Sequence, residues 1–322
     1  MENGLHISTA GIAAALALDL VLGDPSWMPH PVRFIGRAVT LGETRLHTGA
    51  ARADFWRGAL LAATVVILTA LAAWVAIAIA STTANVLGAA AAVLIAWTTL
   101  ALNGLDRAAG EVEGALKRGD DDLARAAMPA LVGRDPATLD RGAMVRATVE
   151  SVAENSSDGV LAPLCYLFVG GPVLALAYKA VNTLDSMIGH RDTRYNYIGR
   201  AAARLDDAAN FVPARMTAIC LAAAASLMLR RGGAALRVCR ADAHKHASPN
   251  AGFPEAAMAG ALGIELGGDA IYEGEVEHRA RLGHAERAAS VADITSARRL
   301  MRLAAALGFC SFAILRYALC GC

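Results

Sequence analysis

Four apolar runs constrain this chain more than any other feature. Residues 58–80 and 85–102 carry no charged side chain and are parted only by residues 81–84; residues 5–22 and 300–319 form two more runs. A hydrocarbon core about 30 Å thick is crossed by about 20 apolar residues in a helix. The runs therefore predict a first span, a helical hairpin and a last span, the last interrupted by Arg316, whose long stem lets its charge reach a membrane face.

Composition agrees. Of 322 residues, 56% are hydrophobic and 18% charged, with a mean hydropathy of +0.42, which fits a soluble protein poorly. A net charge of +1 and the lack of a basic run interleaved with aromatics argue against nucleic acid as a partner. Six cysteines are scattered, and the C-terminal Cys320-Gly-Cys322 is too tight for a zinc pair, so they read as small apolar residues. The start lacks a basic region and an A-x-A site and reads as a retained first span rather than a signal peptide.

Two middle segments are poorer spans. Residues 159–177 contain Pro163 and Gly170-Gly171-Pro172, and 216–229 leave fourteen residues between Arg215 and Arg230. Basic residues crowd the loop after the first run (Arg33, Arg37, Arg45, Arg52, Arg57) and the stretches 107–146, 179–215 and 230–299. If neither middle segment crosses, the positive-inside rule places all of these on the cytoplasmic side with both ends outside. The expected fold is an all-α, polytopic integral membrane protein, one domain over 1–322. It has four spans, two broken, re-entrant or buried helices, and a helical polar region facing the cytoplasm. Six spans is the competing topology. The polar parts at 107–117, 121–130 and 139–154 read as helices, and no stretch alternates well enough for a strand.

Four polar constellations stand out. In the first, Asp24-Pro25 has the grammar of a helix start, while His30, held between prolines, and Arg33 with Arg37 one turn on suit an anionic ligand or lipid head groups equally. In the second, Arg146, Glu150 and Glu154 share a helix face, and Asn155-Ser-Ser-Asp158-Gly ends the helix where the apolar run begins. Glu150, Glu154 and Asp158 could hold Mg²⁺ there; an Arg–Glu ladder with a polar cap is the simpler account.

The third is the stretch 178–215, where Asn182 and Asp185 lie one turn apart, Arg200, Arg204 and Asp207 share a face, and Asp206 is spaced to meet Asn210. A solvated ion-pair helix would use Glu and Lys; Asp, Arg, Asn and Tyr are residues of sites, and Arg is suited to bidentate phosphate contact. The fourth runs from Arg240 through Asp242, His244, Lys245 and His246 to Ser248-Pro-Asn250-Ala-Gly-Phe-Pro-Glu255. Its histidines lack a third soft ligand. Its rigid loop suits close backbone approach to a ligand, and Lys245 could neutralise a phosphate, although a solvated lysine is simpler. No Walker-type loop, strand-linked G-x-G-x-x-G or H-E-x-x-H is present.

Six ordered motifs, L-D-L-V-L-G-D-P…H-P-V-R-F-I-G-R, V-G-R-D-P, V-E-S-V-A-E-N-S-S-D-G-V-L-A-P-L, Y-K-A-V-N-T-L-D-S-M-I-G, G-R-A-A-A-R-L-D-D-A-A-N-F-V-P-A-R and S-P-N-A-G-F-P-E-A-A-M-A-G-A-L-G, resemble the CbiB/CobD family of cobalamin biosynthesis. Departures are His190, where the family usually has an aromatic, Ser156, where Thr is common, and the tail after Gly274.

The resemblance implies a multi-pass inner-membrane adenosylcobinamide-phosphate synthase with a cytoplasmic active face. Such a ligase joins the propionate carboxyl of adenosylcobyric acid to (R)-1-aminopropan-2-ol phosphate or aminopropanol, consuming ATP with Mg²⁺. On that basis Glu150, Asp185, Asp206, Asp207 and Lys245 are catalytic candidates. Glu150, Glu154, Asp158 and Asp185 are candidate Mg²⁺ ligands. His30, Arg33, Asn182, Arg191, Arg200, Arg204, Asn210, Arg215, Ser248, Asn250 and Glu255 are candidates for binding substrate and phosphate. Membrane lipid is an expected partner, and self-assembly or association with other late cobalamin-pathway membrane enzymes stays open. Two other classes compete: a corrinoid-binding scaffold or transporter, and a membrane phosphotransferase, whose D-x-x-D-G-x-x-A-R pattern residues 205–210 do not meet.

Overall fold

The computed structural model describes residues 7–25, 27–131, 139–190, 194–268, 270–272, 275–277 and 279–320. Its helices are α1 (Thr9–Leu22), α2 (Pro31–Leu46), α3 (Ala51–Thr83), α4 (Asn85–Trp97), α5 (Leu102–Arg118), α6 (Asp121–Ala127), α7 (Arg141–Asn155), α8 (Ala162–Ile188), α9 (Arg200–Leu229), α10 (Gly232–Asp242), α11 (Gly252–Leu262) and α12 (Val291–Cys320). Apolar sequence in lipid has to satisfy its backbone groups internally, which a helix does within one segment. The described strands are β1 (Ala270–Tyr272) and β2 (Glu275–Glu277), an antiparallel pair in register Ile271↔Val276 and too short to show as alternation.

Five helices are long and apolar enough to cross a membrane: Ala51–Thr83, Asn85–Arg118, Arg141–Ile188, Arg200–Leu229 and Val291–Leu319. The protein is all-α in class and a multi-pass membrane protein. Three of these helices hold the runs 58–80, 85–102 and 300–319. The first run forms α1, a shorter helix of 14 residues whose N-cap, Ser8, accepts the Gly11 N–H at 3.1 Å. The two middle runs, expected to be broken or re-entrant, lie inside long helices. Gly171 leaves helical geometry at φ 69°, but the helix resumes through Pro172, so this break is a kink rather than an end. Residues 216–229 are the second half of the 30-residue α9, whose first half is polar.

Two local expectations are corrected. The helix expected at Asp24-Pro25 starts instead at His30-Pro31, with the same grammar. His30 is the N-cap, its Nδ1 accepting the Val32 N–H at 3.3 Å, and Pro31 opens the helix. Nor does Asn155-Ser-Ser-Asp-Gly break the helical path: α7 gives way at Ser156–Leu161 to a π-helical turn that leads straight into α8. The polar side chains fold back onto the helix's own carbonyls, Asn155 Nδ2 to Ser151 O at 2.9 Å and Ser156 Oγ to Val152 O at 2.5 Å, so they do not compete to terminate it.

The chain forms two compact units. Unit 1 comprises residues up to Ala101, Pro163–Asn210 and those from Arg316. In it α1 packs on α4 and α3 on both α2 and α4. Its core joins Ile35 and Val39 of α2, Leu61 and Val65 of α3, Leu184 and Ile188 of α8 and Ala202 of α9. Gly58 lets α3 press against the chain at Ile198, since a Cβ there would lie 1.8 Å from the Ile198 carbonyl oxygen. Leu60, Ile67, Leu68 and Leu71 of α3 are exposed. A helix apolar on every side is what a lipid-facing span requires.

Unit 2 comprises Leu102–Ala162 and Phe211–Leu315. In it α5 packs on α6 and α7, and α11 on α7 and α10. Charged groups tie α5 to α12: Arg298 donates to Asp106 at 2.9 Å and to Glu113 at 2.5 Å, while Arg302 also pairs with Asp106.

Candidate functional site

Unit 1 gathers the polar stretch of α8 and α9 into a carboxylate centre. Asn182 and Asp185 come from the last turns of α8, and Asp206, Asp207 and Asn210 from the first turns of α9. Asp206, 8% exposed, accepts from Asn210 Nδ2 at 2.9 Å, as the i,i+4 spacing predicts. Asn182 also lies within hydrogen-bonding reach of Asp206, and Asp185 and Asp207 within electrostatic reach. Two tyrosines complete the frame: Tyr178 donates to Asn210 Oδ1 at 2.8 Å and stacks on Tyr166, centroids 4.8 Å apart, whose hydroxyl donates to Ala209 O at 2.8 Å. His190 lies close enough to act on the charge of Asp185.

The other unit 1 candidates sit apart from these contacts. Arg200 and Arg204 are exposed on α9. His30 caps α2 with Nε2 3.2 Å from Asp24, and Arg33 is exposed one turn further on. Arg191 and the V-G-R-D-P motif at 132–136 lie outside the described residues.

Unit 2 holds a second centre, built on ion pairs. Glu150 of α7, 3% exposed, accepts from the Gly267 N–H at 2.7 Å and from Arg279 at 3.2 Å. Arg279 also lies 3.4 Å from His246 Nε2, which is 3.7 Å from buried Glu255 of α11. The loop before α11 is rigid, with Ser248 Oγ accepting from the Asn250 and Ala251 N–H groups, both at 3.2 Å. Gly252 is required, because a Cβ there would lie 2.1 Å from Ala243 O. Asn250 Oδ1 accepts from Arg215 at 3.1 Å, and the Arg215 guanidinium is sandwiched between Phe211 and Phe253, 3.6 and 4.1 Å from their centroids.

Lys245 pairs with Asp242, which also accepts the Gly283 N–H at 2.8 Å. Burial alone would raise the Asp242 carboxyl, but the Lys245 ammonium and the Gly283 N–H outweigh it and hold it below the ordinary carboxylate range. Glu154 and Asp158, half-buried, flank the start of the π turn.

The structure places Glu150, Glu154, Asp158, Arg215, Ser248, Asn250 and Glu255 in one unit and Asn182, Asp185, Asp206, Asp207 and Asn210 in the other, so the four Mg²⁺ candidates are divided between the two. The sequence reading missed Arg279, which follows the last recognisable motif and whose partner is 129 positions away. It also gave no role to Tyr178 or to His246 as a link between charged groups. Among the described residues no group of three His, Cys, Asp or Glu side chains is placed to hold a metal ion.

Buried carboxylates, amides and paired arginines among long apolar helices define a multi-pass membrane protein with polar centres. Its family is given by comparison. The CobD/Cbib protein family model matches residues 12–301, and the chain belongs to the CobD/CbiB family. The chain is 45% identical over 274 residues to "Cobalamin biosynthesis protein CobD" of Geobacter metallireducens, covering 85% of this chain and 86% of that one. It is 43% identical over 309 residues to "Cobalamin biosynthesis protein CbiB" of Salmonella typhi, covering 95% and 97%. No solved structure matches it.

Proposed function

We propose that the protein is an enzyme of cobalamin biosynthesis. In this reading it is an ATP-dependent ligase joining the propionate carboxyl of adenosylcobyric acid to (R)-1-aminopropan-2-ol phosphate or aminopropanol, in the inner membrane with its polar site facing the cytoplasm. The observation that carries this reading is the near end-to-end match to relatives named for cobalamin biosynthesis. The geometry supports it chemically. A carboxylate forms an amide at neutral pH only when activated, so the site has to hold a nucleotide, a carboxylate and an amine together.

In unit 2, Arg215, oriented by two aromatic rings and Asn250, is suited to bind phosphate or propionate; in unit 1, the exposed Arg200 and Arg204 are separate candidates for an anion. Bound Mg²⁺ would neutralise phosphate charge, held by Glu154 and Asp158. Glu150 acts as a positioning residue that fixes Arg279. The Ser248–Gly252 loop of unit 2 offers close backbone approach to the corrinoid; the carboxylate centre of unit 1, taken by itself, suits the amine and its proton.

The test is purified protein in nanodiscs with adenosylcobyric acid, aminopropanol phosphate and ATP with Mg²⁺. Amide product and ADP are expected together. Corrinoid binding without ATP-dependent product would favour a scaffold or transporter and sink the ligase reading.

A further inference from the structure

The centre on α8 and α9 is rich in acceptors and poor in donors. Asp206 Oδ2 is met by the Asn210 amide at 2.9 Å, while Oδ1 is buried with no hydrogen-bond partner among the described residues. Asn210 presents its NH₂ to Asp206 because Tyr178 donates to its oxygen at 2.8 Å, fixing which way the amide faces. Tyr178 is itself held by stacking on Tyr166, whose hydroxyl is tied to the Ala209 carbonyl. The side chains around Asp206 are therefore locked in place with one carboxylate oxygen left bare, and the carboxylates of Asp185 and Asp207 lie within electrostatic reach.

Buried polar atoms left bare at a fixed position call for a ligand. A phosphate or carboxylate would be brought against the carboxylates of Asp185, Asp206 and Asp207. Mg²⁺ requires several oxygens at about 2.0–2.1 Å in near-octahedral geometry, and the described residues gather no such group of three. A primary ammonium has one positive charge, three N–H donors and no acceptor, the complement of what Asp206 and its neighbours offer.

We propose that Asp206 Oδ1 is the recognition point for the protonated primary amine of the amino alcohol, with Asp185 and Asp207 adding attraction and the Tyr178–Asn210 pair holding Asp206 in position. The identity of the amine rests on the ligase reading; the complementarity to an alkylammonium does not.

Calorimetric titration of (R)-1-aminopropan-2-ol into the full-length protein in nanodiscs, without ATP or corrinoid, tests it, with (R)-propane-1,2-diol as the ligand lacking the amine. Wild-type protein is expected to bind the amino alcohol and not the diol. Asp206→Asn, which keeps the volume and removes the charge, should weaken binding about 30-fold, and Tyr178→Phe about 3- to 10-fold. No amine binding by wild type, equal binding of the diol, or unchanged affinity in Asp206→Asn overturns the proposal. So does Mg²⁺ binding that Asp206→Asn abolishes while amine binding persists. Should Asp206→Asn fail to fold, Tyr178→Phe decides, and unchanged affinity there overturns it as well. Because binding is read without turnover, the two readings fail separately. Asp206-dependent amine binding without ATP-dependent amide leaves the amine site standing. Amide product with amine binding indifferent to Asp206 leaves only the ligase.

Discussion

The carboxylate centre on α8 and α9 treats buried charge differently from the ion-paired acids of unit 2. Three buried acids of unit 2 meet cations or backbone donors: Glu150 has Arg279 and the Gly267 N–H, Asp242 has Lys245 and the Gly283 N–H, and Asp293 has Arg287. In unit 1 Asp206 is set near Asp185 and Asp207, with one oxygen bare. Matched charges hold a structure in place, whereas unmatched like charges cost stability and persist where a ligand completes them. The contrast predicts that neutralising Asp206 and neutralising one of the ion-paired acids change stability with opposite signs.

The largest effect belongs to Glu150→Ala. It strips a buried carboxylate from the Arg279 guanidinium, a loss of about 3–5 kcal/mol. A thermal-unfolding curve in detergent checks it, and a midpoint equal to wild type would show that the ion pairs of unit 2 are not what holds it. Next comes Gly252→Ala. The added methyl has to displace the Ala243 backbone, not the end of a flexible side chain, so a destabilisation of about 1–3 kcal/mol is expected by the same measurement.

Asp206→Asn is the counterpart in unit 1. Replacing a charge among like charges with an isosteric amide should raise the unfolding midpoint, by an equivalent of up to about 1 kcal/mol, while abolishing ATP-dependent amide formation. A variant that unfolds earlier than wild type would place Asp206 with the structural acids of unit 2 and break the comparison.

How much of this contrast the sequence carried depends on the distance between partners. Asp206 and Asn210 are one helical turn apart, so their contact follows from spacing, and the same holds for the face shared by Arg200 and Arg204. Three of the apolar runs, 58–80, 85–102 and 300–319, marked long apolar helices for the same local reason, while 5–22 forms the shorter α1. Helix ends were less legible, since Asp24-Pro25 and His30-Pro31 share one capping grammar and only tertiary packing chooses between them. Proline and glycine in 159–177 counted as breakers, yet a long helix packed among neighbours absorbs a kink. The pairing of Glu150 with Arg279 lay beyond local reading, because nothing near either residue names the other.

The smallest effect separates structural pairing from catalysis at Lys245. Asp242 has a folded pKa below its unfolded value of about 3.9. Its contribution is therefore fully present above that value and is lost as pH falls through the lower folded one. Asp242→Asn should remove this acid-side drop in the unfolding midpoint. Lys245→Met leaves burial less opposed, so its drop should begin at higher pH, while at pH 7 the loss is at most about 1 kcal/mol, as expected for a pair with one exposed partner. If Lys245→Met keeps amide formation and shifts only the acid limb, the lysine belongs with the matched charges that frame unit 2. Loss of turnover at an unchanged acid limb would move it into the reaction and leave the loop before α11 with a chemical role as well as a structural one.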